Sequence, residues 1–292
     1  MSLNRQAQRI DRCQVRRGLE LRVIRWGTPG AEPPFLLIHG LASNARMWDG
    51  CGAAIAAAGR YAVAVDQRGH GRSDTPEDGY DFATIADDLA VLIERERLGR
   101  PLVVGQSWGG NVVIELALRH PSSVRAVAAI DGGVIELADK FPDWNDCERP
   151  LRPPALAGMQ ATRLEAMIRS AHPGWPESGI QGSLANFEVL ADGAIRPWLS
   201  LDRHMQILRA LWDHHPSQRY HALTVPLLLV PAANPDASWT LDKRRAIDAI
   251  AAIVHSPTRV EWFDPADHDL HAQFPDRLAR LLMEWCTQGP AQ

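Results

Sequence analysis

The stretch Gly105-Gln106-Ser107-Trp108-Gly109-Gly110 sets one serine between two glycines, each two residues away. A serine hydroxyl is a weak nucleophile until a neighbouring base takes its proton. The G-x-S-x-G spacing carries chemical meaning only where a strand runs in and a helix runs out. Both flanks are present: Leu102-Val103-Val104 is a short apolar run, and Asn111 to Arg119 has a helical pattern that stops before Pro121. On so sharp a turn, side chains two residues either side of the nucleophile would strike the backbone, and Gly105 and Gly109 remove them. The helix beneath then presents its positive N-terminal end to Ser107, where negative charge develops in acyl transfer.

The base is expected to be His268, which follows the run Arg259–Phe263 and precedes Pro275. His271 is the nearby rival, read as a solvated loop residue. The orienting acid is expected to be Asp236, after Leu227–Val230, giving the chain order Ser107, Asp236, His268. Its rival is Asp131, at the end of the run before Gly132-Gly133 and read as a strand-end cap. His39-Gly40-Leu41 sits at another strand end, so the backbone N–H groups of Leu41 and Trp108 are expected to form an oxyanion hole. His39 is read as structural, bonding the backbone of its own loop. The charged stretch from Asp66 to Ser73 is read as a tight loop in which Asp66 and Arg68 pair.

No metal or cofactor is expected. The His268-x-x-His271 pair lacks a ligand cluster of recognisable spacing. His214, His215 and His221 read as exposed helix ends, and there is no dinucleotide fingerprint or phosphate cradle.

The elements that must hold these groups alternate. Leu19–Trp26 reads as an edge strand. Short apolar runs end at His39, Asp66, Gly105, Asp131, Pro231 and Asp264, as strands covered on both faces do. Helical patterns cover Phe82 to Arg97, Asn111 to Arg119, Leu241 to Val254 and Pro275 to Trp285. That alternation predicts an α/β domain with a mostly parallel sheet and right-handed crossovers. Between Gly133 and Val225 it lapses. Prolines and tryptophans accumulate there, with amphipathic patterns at Gln160–Arg169 and Leu201–Asp213. The expected organisation is a core of residues 1–133 and 225–292, with a helical cap of residues 134–224 inserted after the sixth strand. The cap tryptophans, with Phe141, Phe187, Met159 and Met167, read either as the lining of a pocket for an apolar or aromatic acyl group or as the cap's own core.

The composition is that of an ordinary globular chain. Of 292 residues, 46% are hydrophobic and 23% charged, which excludes a disordered chain. The net charge of −4, without a Lys/Arg block, gives nucleic acid no surface. The longest apolar runs, Ala53–Ala58 and Ala249–Val254, fall far short of the ~20 residues that span a bilayer. The N-terminus is polar and carries no signal-peptide pattern. Four scattered cysteines, Cys13, Cys51, Cys147 and Cys286, fit free thiols in a cytoplasmic protein.

Together, His39-Gly40, Asp66-x-Arg68-Gly69-His70-Gly71-x-Ser73, Gly105-x-Ser107-x-Gly109, and His268 seven residues before Pro275 resemble the α/β-hydrolase superfamily, specifically its cap-bearing, epoxide-hydrolase-like and esterase-like branch. The resemblance implies the α/β-hydrolase fold and agrees with Leu41 and Trp108 as oxyanion donors. Two departures stand out. The loop after Val230 is one residue longer before Asp236 than is usual. Asp267 stands before His268 where a small residue is common, and its carboxylate is expected to raise the histidine pKa. Ser107 excludes the aspartate-nucleophile chemistry of haloalkane dehalogenases and epoxide hydrolases. The expected activity is a serine hydrolase cleaving a small carboxylic ester or related acyl substrate (thioester, lactone, carbon–carbon bond) through an acyl-enzyme. The alternatives are a cofactor-free perhydrolase and a catalytically silent receptor.

Overall fold

The computed structural model describes residues 8–234 and 238–288. In chain order, β1 (Arg9–Arg16), β2 (Leu19–Trp26), β3 (Phe35–Ile38), α1 (Asp49–Ala57), β4 (Ala62–Val65), α2 (Phe82–Arg95), β5 (Leu102–Gln106), α3 (Trp108–Arg119) and β6 (Ala126–Ile130) form the first part. Five helices follow, α4 (Leu137–Lys140), α5 (Trp144–Leu151), α6 (Ala161–Ala171), α7 (Glu177–Leu184) and α8 (Leu201–Trp212), with a hairpin of β7 (Phe187–Val189) and β8 (Ile195–Pro197) before α8. The chain then returns through β9 (Leu227–Val230), α9 (Ser238–Ile253), β10 (Thr258–Val260), α10 (Leu270–Gln273) and α11 (Pro275–Gln288).

The eight-stranded sheet has the order β1-β2-β4-β3-β5-β6-β9-β10. Only β1–β2 and β2–β4 are antiparallel; the rest is parallel. In β3, alternate residues enter different cores. Leu36 and Ile38 pack with α2, α3 and α9, while Phe35 and Leu37 pack with α1 and α11. A strand buried on both faces therefore has no polar position, which is why it is legible as a bare apolar run. The α/β-hydrolase fold expected from the sequence is the fold observed, with a helical insertion between β6 and β9.

Three local expectations change. Leu19–Trp26 is not an edge, because β1 covers it. The β1 sequence RIDRCQVR is charged and mostly exposed, as an edge strand requires, so it gives no apolar signal. The insertion is not purely helical, since it carries the β7–β8 hairpin. Finally, Asp66 and Arg68 do not pair with each other. Asp66 accepts from Arg22 at 3.1 Å and from Ala45 N at 2.7 Å, while Arg68 donates to Asp88 on α2 at 2.6 Å. The loop is braced by its neighbours as well as from within, where Asp66 Oδ2 accepts from Arg72 N at 2.9 Å.

The insertion is tied to the core at several points. Met47, Trp175, Ile180 and Ala272 form a small apolar cluster bridging the two. Arg203 on α8 donates to the carbonyls of Thr75 and Pro76, and Asn44 donates to Gly182 O. On α3, Glu115 accepts from Arg219, with His214 Nε2 3.7 Å away.

Candidate active site

Ser107 stands between β5 and α3 with φ +54° and ψ −124°. Left-handed backbone at a residue with a side chain is costly and persists only where the surrounding structure holds it. A Cβ at Gly105 would lie 2.1 Å from Gly109 O, and one at Gly109 would lie 2.4 Å from His39 O. Both glycines are thus required by close backbone approach, as the spacing predicted. The Ser107 N–H donates to Ile130 O on the neighbouring strand at 2.9 Å.

His268 Nε2 lies 2.9 Å from Ser107 Oγ, and His268 Nδ1 lies 2.5 Å from Asp131 Oδ2. A carboxylate only accepts, so Nδ1 carries the proton and Nε2 is left to accept from the serine. His268 thus joins Ser107 as expected from the sequence. The carboxylate on its far side is that of Asp131, the rival of the expected Asp236, which lies outside the described residues. The physical reason is strand order. β6 is hydrogen-bonded beside β5, so its end emerges next to the Ser107 turn. A Cβ at Gly132 would sit 2.1 Å from Ser107 O, a measure of how tightly the two strand ends meet. Asp131-Gly132 after an apolar run was the signal available in the sequence.

Asp131 is buried, with φ +43°. Its Oδ1 accepts from Ala232 N at 2.9 Å and from Lys243 Nζ at 2.6 Å. Lys243, on α9, was not identified from the sequence; a lone lysine on an amphipathic helix carries no chemical signature.

Charge follows geometry here. Burial by itself would lower the His268 pKa, but the hydrogen bond and charge of Asp131, with the charge of Asp269, raise it above the ordinary 6.5. The His268 side chain keeps 55% of its surface exposed, so the carboxylates decide the direction. Burial alone would raise Asp131, and the hydrogen bond and charge of His268, joined by Lys243, pull it below 3.8. The Asp267 carboxylate points elsewhere, accepting from Trp175 Nε1 at 3.2 Å, with His172 Nδ1 4.0 Å away. Asp131 and Asp269, not Asp267, raise His268.

Leu41 follows Gly40, where a Cβ would lie 3.1 Å from Ser107 Cβ, so this loop abuts the Ser107 turn. Trp108 opens α3, and its N–H is one of the four that no helix can satisfy internally. Next to Leu41, Ala42, with φ +57°, donates its N–H to His70 Nε2 at 3.3 Å. His39 is structural: Nδ1 lies 2.7 Å from Gly40 O and Nε2 accepts from Gln67 N at 3.0 Å. Burial holds its pKa down to about 4. His271 is not a solvated loop residue but a buried one, 4.5 Å from the Trp48 ring, with its pKa pushed down to about 3 by burial.

Trp175 joins the insertion to the core, while other aromatics of the insertion pack on one another. Trp144 and Trp212 meet edge-on at 6.0 Å, and Trp212 Nε1 donates to Phe141 O at 2.7 Å. Met167 is exposed. His214 is no exposed helix end; it stacks on Phe82 at 3.8 Å. A cleft of about 1040 Å³ runs past Tyr80, Phe82, Trp144, Met205 and Arg209, without reaching Ser107 or His268. Glu136, Asp139 and His215 place three donor atoms within 4.8 Å of one another. Glu136 already accepts from Ser217 N, and exposed acidic groups gather without an ion.

A family model described as the α/β hydrolase fold matches residues 33–177. A 2-(acetamidomethylene)succinate hydrolase of Mesorhizobium japonicum is 32% identical over 69% of this chain and 70% of its own length. The chain belongs to the α/β-hydrolase family. Epoxide hydrolase A of Mycobacterium tuberculosis is 27% identical over 92% of this chain and 95% of its own. The crystal structure of an E-2-(acetamidomethylene)succinate hydrolase superposes with a TM-score of 0.78 at 25% identity, over 96% of this chain and 100% of that one. Both of these relatives carry hydrolase names. Among the described residues no helix is long and apolar enough to cross a membrane.

Proposed function

We propose that this α/β hydrolase is a serine hydrolase that cleaves a small carboxylic ester or related acyl substrate through an acyl-enzyme. The observation that carries the proposal is the unbroken line of hydrogen bonds from Ser107 through His268 to Asp131. Ser107 Oγ attacks the acyl carbon as His268 Nε2 takes its proton. The leaving group departs with that proton, and a water activated by His268 then releases the acid. Asp131 holds the tautomer and stabilises the imidazolium without taking the proton. The Leu41 and Trp108 N–H groups hold the oxyanion; one such donor contributes roughly 3 kcal/mol in the transition state. Residues 134–224 act as the cap, tied beside the site by Trp175 Nε1, which donates to Asp267 at 3.2 Å. The four free thiols fit a reducing compartment such as the cytoplasm.

The test is turnover of a panel of activated short-chain aryl esters, thioesters and lactones, with an acetamido compound added because the Mesorhizobium relative's name carries one. At least one member is turned over, and Ser107→Ala lowers kcat by about 10⁶ while the circular dichroism spectrum is retained. Near-wild-type turnover by that variant would overturn the assignment.

A further inference from the structure

We propose that Lys243 is a positioning residue of the site: clamped between Asp131 and Ala232, it holds one oxygen of the acid so that the other faces His268. The inference rests on the Ser107–His268–Asp131 assignment above. Lys243 Nζ donates to Asp131 Oδ1 at 2.6 Å and to Ala232 O at 2.8 Å. Ala232 N donates to the same Oδ1 at 2.9 Å. Oδ1 is thereby committed, and Oδ2 is left for His268 Nδ1. The Asp131 side chain is 1% exposed, and a carboxylate so buried needs a compensating charge. His268 cannot supply it in the resting state, because a general base must be neutral. Lys243 is the cation paired with Asp131 among the described residues.

The consequence reaches the base. The charged and titratable groups facing His268 are Asp131 from the end of β6, Lys243 from α9, Asp269 from its own loop and the buried, neutral His271 of α10. From the insertion, His172 and Trp175 engage Asp267, which is turned away. The two carboxylates favour the imidazolium and Lys243 opposes it. Removing Lys243 therefore lets His268 hold its proton to higher pH, and the nucleophile becomes active only at higher pH.

The test follows the rate of covalent labelling of Ser107 by a fluorophosphonate across the histidine range, which needs no knowledge of the substrate. Lys243→Met and Lys243→Gln are expected to move the midpoint of the rate-versus-pH curve up by about half to one pH unit. Lys243→Arg is expected to hold it within a few tenths, since the charge is kept. Asp131→Asn runs in parallel. If it labels at the wild-type rate, the triad assignment itself is wrong, whatever Lys243 does. If it labels slowly and the midpoint in Lys243→Met and Lys243→Gln coincides with wild type, only the inference about Lys243 falls. A lowered thermal midpoint with an unmoved pH curve, or failure of both neutral variants to fold, makes Lys243 a residue of the fold and overturns the inference equally.

Discussion

His268 gains its basicity from two carboxylates, and the sign of that effect fixes where the site works. Its pKa is raised above 6.5, and only the neutral ring can take the Ser107 proton, so the acid limb of kcat/KM is expected above the ordinary histidine range. An acid limb below 6.5 would contradict the Asp131–His268 contact. The same pair contributes to stability. The His268 part is fully present below the ordinary histidine value and is lost as pH rises through the folded one; the Asp131 part is present above the ordinary carboxylate value and lost as pH falls. Asp131→Asn is expected to lower kcat by about 10⁴, because the wrong tautomer of His268 is then held. Asp236→Asn should leave kcat within a few-fold; the reverse order of effects, read on any turned-over ester, would restore Asp236. Ser107 and His268 were legible because local sequence encodes them: two glycines round a serine, and a histidine after a late strand. Asp131 was harder to rank, because the sequence sets an aspartate after each of two late strands, and the strand order that brings Asp131 to the ring is not written locally.

At the scale of elements, the strand-to-helix turn at Ser107 is the most constrained piece of backbone. Gly105→Ala would force a Cβ to 2.1 Å from Gly109 O, a contact that backbone must move to relieve. The expected cost is about 2–4 kcal/mol, read as a lowered denaturation midpoint with reduced fluorophosphonate labelling. An unchanged midpoint would show that the turn tolerates a methyl group. A partly buried ion pair lies where the insertion returns to the core. Glu115 on α3 is bonded to Arg219 and lies near His214, and although burial works against it these partners hold its pKa down to about 2, from 4.5. A depressed carboxylate contributes stability above its unfolded value and loses it between about 4.5 and about 2. Glu115→Gln is therefore expected to be less stable than wild type at neutral pH, with the gap closing in acid. A gap that stays constant with pH would remove Glu115 from the acid response. The central strands were readable as apolar runs because both their faces are buried. β1 and the β7–β8 hairpin were not, because an exposed charged edge and a short half-buried hairpin carry no such run.

For the whole molecule, two cores on either side of one mostly parallel sheet hold the strand ends in register, and the site is built where those ends meet. Ser107, Asp131 and Ala232 come from the ends of β5, β6 and β9, three adjacent strands, so no single segment of sequence contains the site. Family membership explains this frame without choosing the chemistry, since relatives of one fold carry different hydrolytic names. The central claim is that Ser107 is the activated nucleophile. Its most direct measurement is reaction of the folded protein with a fluorophosphonate, followed by intact-mass and peptide mapping. One label per chain, confined to Ser107 and absent from Ser107→Ala, is the predicted result. No label on folded protein, or a label on another residue, would contradict it.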